Sequence, residues 1–370
     1  MQFGNNKEWY HNYFIIFLIS FSIIASGING FSHEHEYSHF NHANIDKLIS
    51  LESEQESIIL PFNTTRIPGS KESIKIQEYI TFFFEQLNNN SNGILWVVTR
   101  DNFKENGYNF TNLVFSLNYV DKNKNNNKKE FLHMQDYKKE KSLILAAHYD
   151  SKIDPPGFIG AVDSALSCSI LLYIAYFITN LDTQNDYTHI YENGFVKNLE
   201  IIFFDGEEAL KKWNDDDSIY GSKHLVSKYP GKYNGKNIEL MILLDLLGSS
   251  DDEDLSIYSY FANSHIFYER LSTVEKKLFP FGKTKLISDN KSFIWSSKKN
   301  TKRPVFVVED DHIPFYTRGI PILHLIPLPF PKTWHTIDDD FNHVNMTSVK
   351  KWCKMLSTFT VEYLHDRLFE

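Results

Sequence analysis

Short apolar runs of strand character alternate with helical patterns along most of this chain of 370 residues, and this alternation constrains the fold most. Strands are predicted at 94–99, 111–118, 142–147, 199–204, 238–244 and 320–326, and helices at 163–180, 218–228, 263–279 and 346–366. Alternating strands and helices are typical of a mostly parallel sheet that is covered by helices. The sequence therefore predicts one α/β domain with a mostly parallel, twisted central sheet.

Acidic residues and histidines follow the ends of these predicted strands or lie in the loops after them. They are His148, Asp163, Glu207, Glu208, Asp245 and His335. The carboxyl ends of parallel strands meet at one edge of a sheet, where α/β enzymes place their active sites. One histidine and two carboxylates with an open position form a typical catalytic zinc site. A neighbouring carboxylate can transfer protons.

Each of these residues also has an ordinary structural interpretation. Asp163 could be only a helix N-cap, and Asp245 could only cap a loop. The Glu207–Glu208 pair could be solvated, and a histidine such as His148 could be a hydrogen-bonded core residue. That interpretation is the one we favour for His324, which lies between two leucines. A site is nevertheless favoured overall, because the alternative requires several independent accidents at strand ends.

The N-terminal residues are predicted to lie outside the catalytic domain, which spans 46–370. Residues 14–25 form an apolar run that is shorter than the ~20 residues of a membrane-spanning helix. Small residues follow in ASGING, so residues 1–30 are predicted to be a cleaved signal peptide, with a signal anchor as the alternative. Residues 31–45 are polar and rich in histidine. Their HEYSH stretch matches a zinc-protease pattern but lacks apolar neighbours at helical spacing, so it is rejected as a site.

The net charge, the glycosylation sequons and the cysteines limit the partners and the cellular compartment that we expect for this chain. The formal net charge is −9 and no long basic stretch occurs, which argues against nucleic acid as a partner. The two cysteines, Cys168 and Cys353, are interpreted as small buried hydrophobic residues, although a disulfide between them stays open. Five glycosylation sequons agree with the secretory pathway: Asn63, Asn89, Asn109, Asn290 and Asn345. We expect a secreted monomer without stable membrane contact once the signal is cleaved, with an organelle lumen such as the Golgi as the alternative.

Several segments resemble the glutaminyl-peptide cyclotransferases, or glutaminyl cyclases, in order from about residue 45 to the C-terminus. These segments are AAHYDSK, GAVDSALSC, IIFFDGEEALKKWNDDDSIYGSKHL, LLDLLGS, EDDHIPFYTRGIPILHLIPLPFPKTWHTIDDD and VEYLH. The DDHIPF and PFPKTWHT segments are specific to the cyclases, whereas HYDS, VDSA and GEE also occur in related zinc aminopeptidases. The resemblance implies a three-layer α/β/α sandwich of the zinc aminopeptidase type.

The resemblance also implies a role for each matching residue. Asp163, Glu208 and His335 would bind one Zn²⁺ per chain, and Glu207 would be the general acid and base. The other implied residues are Asp245 and Asp310, in an acidic hydrogen-bond network, and the pocket residues Trp213, Val308, Phe330 and Trp334. The implied reaction closes the N-terminal glutamine of a peptide or protein to pyroglutamate and releases ammonia. N-terminal glutamate would be a weaker substrate.

The chain departs from the family at three places. Glu309 stands where an uncharged glutamine is common; if it faces the pocket, it should favour neutral Gln over anionic Glu substrates. Ala147 stands where some secreted members have a cysteine, so Cys168 is expected to be a free thiol. The acidic cluster Asp215–Asp217 is expected only to be solvated.

Two other functions compete with this interpretation. A zinc aminopeptidase could use His148, Asp163, Glu208, Asp245 and His335 to hold one or two metal ions. The DDHIPF and FPKTWHT segments argue against it, because they imply a tryptophan-lined pocket that is closed to long chains. A non-enzymatic secreted protein of the same fold should have lost a ligand or Glu207, and none is lost.

Overall fold

The computed structural model describes residues 40, 42, 44–53, 55–91, 94–119, 141–181, 197–251, 255–280 and 308–366. In these ranges the strands are β1 (Ile94–Glu105), β2 (Tyr108–Tyr119), β3 (Ser142–His148), β4 (Asn198–Phe204), β5 (Ile238–Leu244), β6 (Ser256–Ile257), β7 (Ile322–Leu325) and β8 (Pro327–Leu328). The α-helices are α1 (Ile45–Leu48), α2 (Lys71–Asn90), α3 (Leu166–Leu181), α4 (Tyr220–Lys228), α5 (His265–Leu278), α6 (Ile313–Tyr316) and α7 (Met346–Leu364). The predicted signal peptide, the HEYSH stretch and the sequon at Asn290 lie outside the described residues.

Six strands form the central sheet, in the order β1-β2-β4-β3-β5-β7. Strands β4, β3, β5 and β7 run parallel, which confirms the predicted parallel centre of the sheet. Strands β1 and β2 form an antiparallel hairpin at one side, and β2 also pairs antiparallel with β4. Because the four parallel strands point the same way, all of their carboxyl ends lie at one edge.

Helices cover both faces of this sheet. On one face, Ile144 of β3 belongs to a core cluster with Leu225 of α4 and Phe315 of α6. On the other face, Leu143 of β3 is also fully buried, and helix α3 contacts the strand there. Burial on both faces explains why these strands are continuous apolar runs rather than alternating ones. The structure confirms the three-layer α/β/α sandwich.

Helix α3 contacts both strand β3 and helix α7. In the described part of the chain, Ala161–Leu181 is the helical stretch long and apolar enough to cross a membrane, yet 94% of its most apolar window is buried in the protein. It therefore has the character of a core helix. Cys168 on α3 and Cys353 on α7 are both buried and free, which confirms their interpretation as buried thiols.

The helix predicted at 163–180 begins later than expected. Residues Ala161–Ala165 form one wide turn, and Asp163 there has a non-helical φ of −112° and ψ of 78°. The regular helix α3 begins only at Leu166. The prediction that Asp163 opens the helix is therefore wrong, because the backbone of this turn is held by contacts described below.

Several elements were not anticipated in full. Helix α2 was not predicted, although Ser70 caps it by accepting a hydrogen bond from the Ser73 amide. Strands β1 and β2 extend beyond 94–99 and 111–118 to meet at the turn of Asn106 and Gly107. Both turn residues have positive φ values, 48° and 85°, as expected for an Asn-Gly hairpin.

Candidate active site and metal centre

The predicted residues lie in loops at the carboxyl edge of the parallel strands. His148 is the last residue of β3, and Asp245 follows β5 directly. Glu207 and Glu208 follow β4 after Gly206, whose φ is 73°. A Cβ atom at Gly206 would lie 2.4 Å from the ring of Phe110, so the turn that presents the two glutamates requires glycine.

Asp163, Glu208 and His335 meet in one cluster. The His335 Nε2 atom lies 3.3 Å from Glu208 Oε1 and 3.4 Å from Asp163 Oδ2. Two ligands of a tetrahedral zinc ion, each about 2.0–2.1 Å from the metal, are about 3.4 Å apart. Glu208 Oε1 is buried and has no hydrogen-bond partner among the described residues. The three atoms thus fit a zinc site, and the unpartnered oxygen is available to a metal ion.

The charge of this cluster also suits a cation. The side chains of Asp163 and Glu208 are only 4% and 3% exposed. Burial disfavours the charged form of His335, but its interactions with the acceptor carboxylates of Asp163 and Glu208 prevail and raise its pKa to about 9. Burial opposes the ionisation of Asp163 as well, but hydrogen bonds from His148 and His335 lower its pKa. Two buried carboxylates therefore face the His335 imidazole, with His148 beside Asp163 and Lys152 beside Glu208, and these acidic ligands would favour a divalent cation.

A second group of possible ligands shares Asp163. The His148 Nε2 atom lies 3.0 Å from Asp163 Oδ1 and 3.5 Å from Asp245 Oδ1. Asp245 Oδ1 already accepts hydrogen bonds from the Ser164 hydroxyl and, at 2.9 Å, from the Leu246 amide. A second metal ion bound through Asp245 Oδ1 would compete with those two donors.

Glu207 lies beside the cluster without belonging to it. Its side chain faces the cavity described below, and the residue is 7% exposed. Burial raises the pKa of Glu207; the charge of His148 lowers it, and those of Asp310 and Glu208 raise it further. A carboxyl with a raised pKa can both accept and return a proton near neutral pH.

The acidic residues around Glu207 differ from the expected hydrogen-bond network. Among the described residues, no hydrogen bond joins the Glu207 carboxylate to Asp245 or Asp310. Asp310 instead lies 2.7 Å from His324 Nε2 and accepts from the Asp311 amide at 2.6 Å. Asp310 therefore acts on Glu207 through its charge. His324 is 1% exposed, which confirms it as a hydrogen-bonded core histidine.

Two buried carboxylates that the sequence analysis missed hold the backbone of this site. Asp150 accepts hydrogen bonds from the amides of Glu207 and Glu208, each at 3.1 Å. Asp339 accepts from the amides of Val162 and Asp163, at 2.7 Å and 3.2 Å. These contacts hold the unusual turn at Asp163. The signal was present, because both acids belong to the quoted segments AAHYDSK and HTIDDD.

Replacing Asp339 should weaken both the fold and metal binding. Asp339→Ala leaves two buried amides without an acceptor, at a cost of about 1–3 kcal/mol each. We expect a lower free energy of unfolding in urea, and a metal affinity reduced about 10–100-fold, as for other residues that orient a ligand. The matched control is Asp338→Ala, because Asp338 is the exposed neighbour. Unchanged metal affinity in a chelator competition would contradict the positioning role.

An aromatic cavity of about 400 Å³ opens above the cluster. The predicted pocket residues all line it: Trp213, Val308, Phe330 and Trp334. The rings of Phe330 and Trp334 meet edge to face with centroids 4.7 Å apart, and the Trp334 ring stacks on His335 at 4.0 Å. Glu207, Asp163, Asp245 and His335 supply polar parts of the lining. The cavity thus joins aromatic walls to the acidic cluster.

The loop that carries Trp213 is held by one member of the acidic cluster at 215–217. The Asp217 carboxylate accepts hydrogen bonds from the amides of Leu210, Lys211 and Lys212, at 2.8, 3.0 and 2.8 Å. Asp215 and Asp216 are exposed, as expected. The expectation of mere solvation is wrong for Asp217, because its side chain satisfies three backbone donors.

The fold and the cluster together define an α/β enzyme with a candidate metal centre at the carboxyl edge of its sheet. The model of peptidase family M28 matches residues 131–360. An uncharacterized protein of Saccharomyces cerevisiae is 37% identical over 356 residues, which cover 90% of this chain and 92% of that protein. The glutaminyl-peptide cyclotransferase of Gloydius blomhoffii is 33% identical over 327 residues, covering 82% and 79% of the two chains.

Solved structures agree with these relatives. The crystal structure of Macrostomum lignano glutaminyl cyclase has a TM-score of 0.67 and 28% identity, and covers 90% of this chain and 93% of that one. A leucine aminopeptidase precursor of Bacteroides thetaiotaomicron has a TM-score of 0.53 at 20% identity, over 80% and 91% of the two chains, and shows the shared fold alone. The chain therefore belongs to the glutaminyl-peptide cyclotransferases, an acyltransferase family, within peptidase family M28. This finding confirms the resemblance stated above.

Proposed function

We propose that this chain is a zinc-dependent glutaminyl-peptide cyclotransferase that converts the N-terminal glutamine of peptides and proteins to pyroglutamate and releases ammonia. One observation carries the proposal: Asp163, Glu208 and His335 meet at metal-ligand spacing beside the buried carboxyl of Glu207, under an aromatic cavity. The glutaminyl-peptide cyclotransferases among its relatives support the substrate assignment.

The reaction needs a proton carrier and tight positioning more than it needs a protein nucleophile. A zinc ion at Asp163, Glu208 and His335 would supply Lewis-acid polarisation of the side-chain amide. The substrate α-amine forms the new C–N bond to the side-chain carbonyl carbon, and the bond from that carbon to the amide nitrogen breaks. Glu207 accepts the proton lost by the amine and returns it to the departing ammonia.

The cavity walls contribute orientation. Trp334 offers a flat apolar surface and an indole N–H, and Phe330 packs against it. A side chain folded back between such walls is held near the attacking amine, which removes much of the entropic cost of ring closure. The negative charge of Asp310, together with burial, keeps the pKa of Glu207 raised for this proton transfer.

A zinc aminopeptidase with two metal ions is the second candidate. It is favoured by the second group of possible ligands, His148, Asp163 and Asp245. Two tightly bound zinc ions per chain and hydrolysis of leucyl amides would support it. We favour one zinc ion, because Asp245 Oδ1 already accepts the Ser164 hydroxyl and the Leu246 amide.

Mass spectrometry of a peptide with N-terminal glutamine distinguishes these functions. We expect the purified enzyme to remove the mass of one ammonia, a chelator to stop the reaction, and added zinc to restore it. A peptide with N-terminal glutamate should react more slowly, because Glu309 lines the cavity and repels a second carboxylate. Release of the free N-terminal amino acid would identify a peptidase instead. Full activity after verified metal removal would contradict the zinc role.

We also propose that the protein acts in the secretory pathway, most simply as a secreted monomeric glycoprotein. The apolar run at 14–25 and the sequons support this setting. Asn63, Asn89 and Asn109 are exposed and accessible to glycosylation. Asn345 is a weaker candidate, because its side chain caps helix α7 by accepting a hydrogen bond from the Ser348 amide.

A further inference from the structure

The cavity has a buried acidic end and an exposed mouth. Asp163, Glu207 and Asp245 at the inner end are 3%, 7% and 8% exposed. At the mouth, Trp334 is 38% exposed and Glu309 is also exposed. A reacting amine and amide must reach the inner end, so the rest of a peptide has to leave through this mouth. The residue after the N-terminal glutamine therefore passes close to Glu309.

Glu309 is held in place at this mouth. The Trp213 indole nitrogen donates a hydrogen bond to Glu309 Oε2 at 3.0 Å. Trp213 belongs to the loop that Asp217 holds. Its hydrogen bond therefore fixes the position of the Glu309 carboxylate.

No basic group neutralises Glu309 in the described part of the chain. Its hydrogen bond to Trp213 is its one recorded polar contact there. Lys152 is the one lysine among the described residues that line the cavity, and its Nζ atom is paired with Glu208 Oε2 at 3.4 Å. As far as the described residues go, the Glu309 charge therefore stays available to a substrate at the mouth.

We propose that Glu309 selects substrates by the charge of their second residue, favouring glutaminyl peptides with lysine or arginine at that position and disfavouring those with aspartate or glutamate. The inference rests on the proposed cyclase function and adds a substrate class to it. A cation at the second position meets an exposed carboxylate that has no basic partner among the described residues, whereas an anion meets a like charge. The N-terminal glutamine itself makes the same contacts in every such peptide.

Three matched peptides test the proposal: Gln-Lys-Ala amide, Gln-Met-Ala amide and Gln-Glu-Ala amide. For the unmodified enzyme at low salt we expect kcat/KM to fall in that order, with about a five-fold ratio between the lysyl and glutamyl peptides, as for an exposed ion pair. Raising the ionic strength should shrink this ratio, because salt screens exposed charges. Glu309→Gln keeps an oxygen for the Trp213 indole and should bring the ratio close to one.

The matched control is Glu78→Gln, which removes the same charge from an exposed position on helix α2 and should leave the ratio unchanged. Equal kcat/KM for the three peptides, a ratio that is insensitive to salt, or an unchanged ratio in Glu309→Gln would overturn the charge selection and leave the cyclase function standing. If the enzyme cyclises none of the three peptides, both the charge selection and the cyclase function are overturned.

Discussion

Glu207→Gln should lower turnover by about 10²–10⁴-fold, the usual contribution of a general acid or base. The substitution keeps the shape and polarity of the side chain but removes its ability to carry the proton from amine to ammonia. Folding and metal binding should survive, because Glu207 is not one of the three clustered ligands and its amide still bonds to Asp150.

The neighbouring residue supplies the matched control for this variant. Glu208→Gln changes the adjacent carboxylate in the same way, but it removes the negative charge of a residue in the ligand cluster, whose Oε1 atom has no hydrogen-bond partner among the described residues. Metal content, thermal stability and kcat should be measured for both proteins. We expect Glu207→Gln to retain the metal and lose turnover, and Glu208→Gln to lose both. A Glu207→Gln enzyme with most of its activity would show that the acid and base assignment is wrong.

His335→Ala should lose metal and activity together. It removes the nitrogen ligand that lies within 3.4 Å of both carboxylates. We expect the metal affinity to fall by more than the ~10–100-fold that is typical of residues that only orient a ligand. Only the two carboxylates of the cluster would then remain as ligands, so the metal-free state should dominate at ordinary zinc concentrations.

The backbone at this position calls for a second variant. His335 has a φ of 57°, where alanine is strained and asparagine is better tolerated. His335→Asn therefore removes the imidazole with less backbone strain, and His343→Ala serves as a control, because His343 pairs with Asp340 at the surface. Metal content and kcat should both fall in the two His335 variants, and both should stay unchanged in His343→Ala. Activity without bound metal would contradict the Lewis-acid role.

The sequence was a good guide to the strands that position the site. Apolar runs that are buried on both faces ended where predicted, so His148, Asp245 and the Glu207–Glu208 pair appear at the expected edge. The parallel centre of the sheet followed from the alternation of strands with helices, whereas the order of the strands was not predicted. Helix α2 could also have been found, because Ser70 has the usual character of an N-cap.

Other features depend on contacts that no local pattern reveals. The turn at Asp163 is held by Asp339, which lies 177 residues from Val162 in sequence. The direction of the Glu309 side chain depends on Trp213, 96 residues away. Asp150 lies in a segment that resembles the family. Its role depends on the loop after β4, whose amides approach it only in the folded protein. Such roles follow from contacts between distant parts of the chain, which neither residue propensity nor hydrophobic periodicity reveals.

Anomalous diffraction at the zinc edge, from crystals of the purified enzyme, tests the central claim most directly. We expect one zinc peak, bounded by Asp163, Glu208 and His335, with the Glu207 carboxylate outside its coordination shell. A second peak of comparable height between His148 and Asp245 would favour the two-metal peptidase. Zinc bound elsewhere, with this cluster empty in active enzyme, would contradict the account.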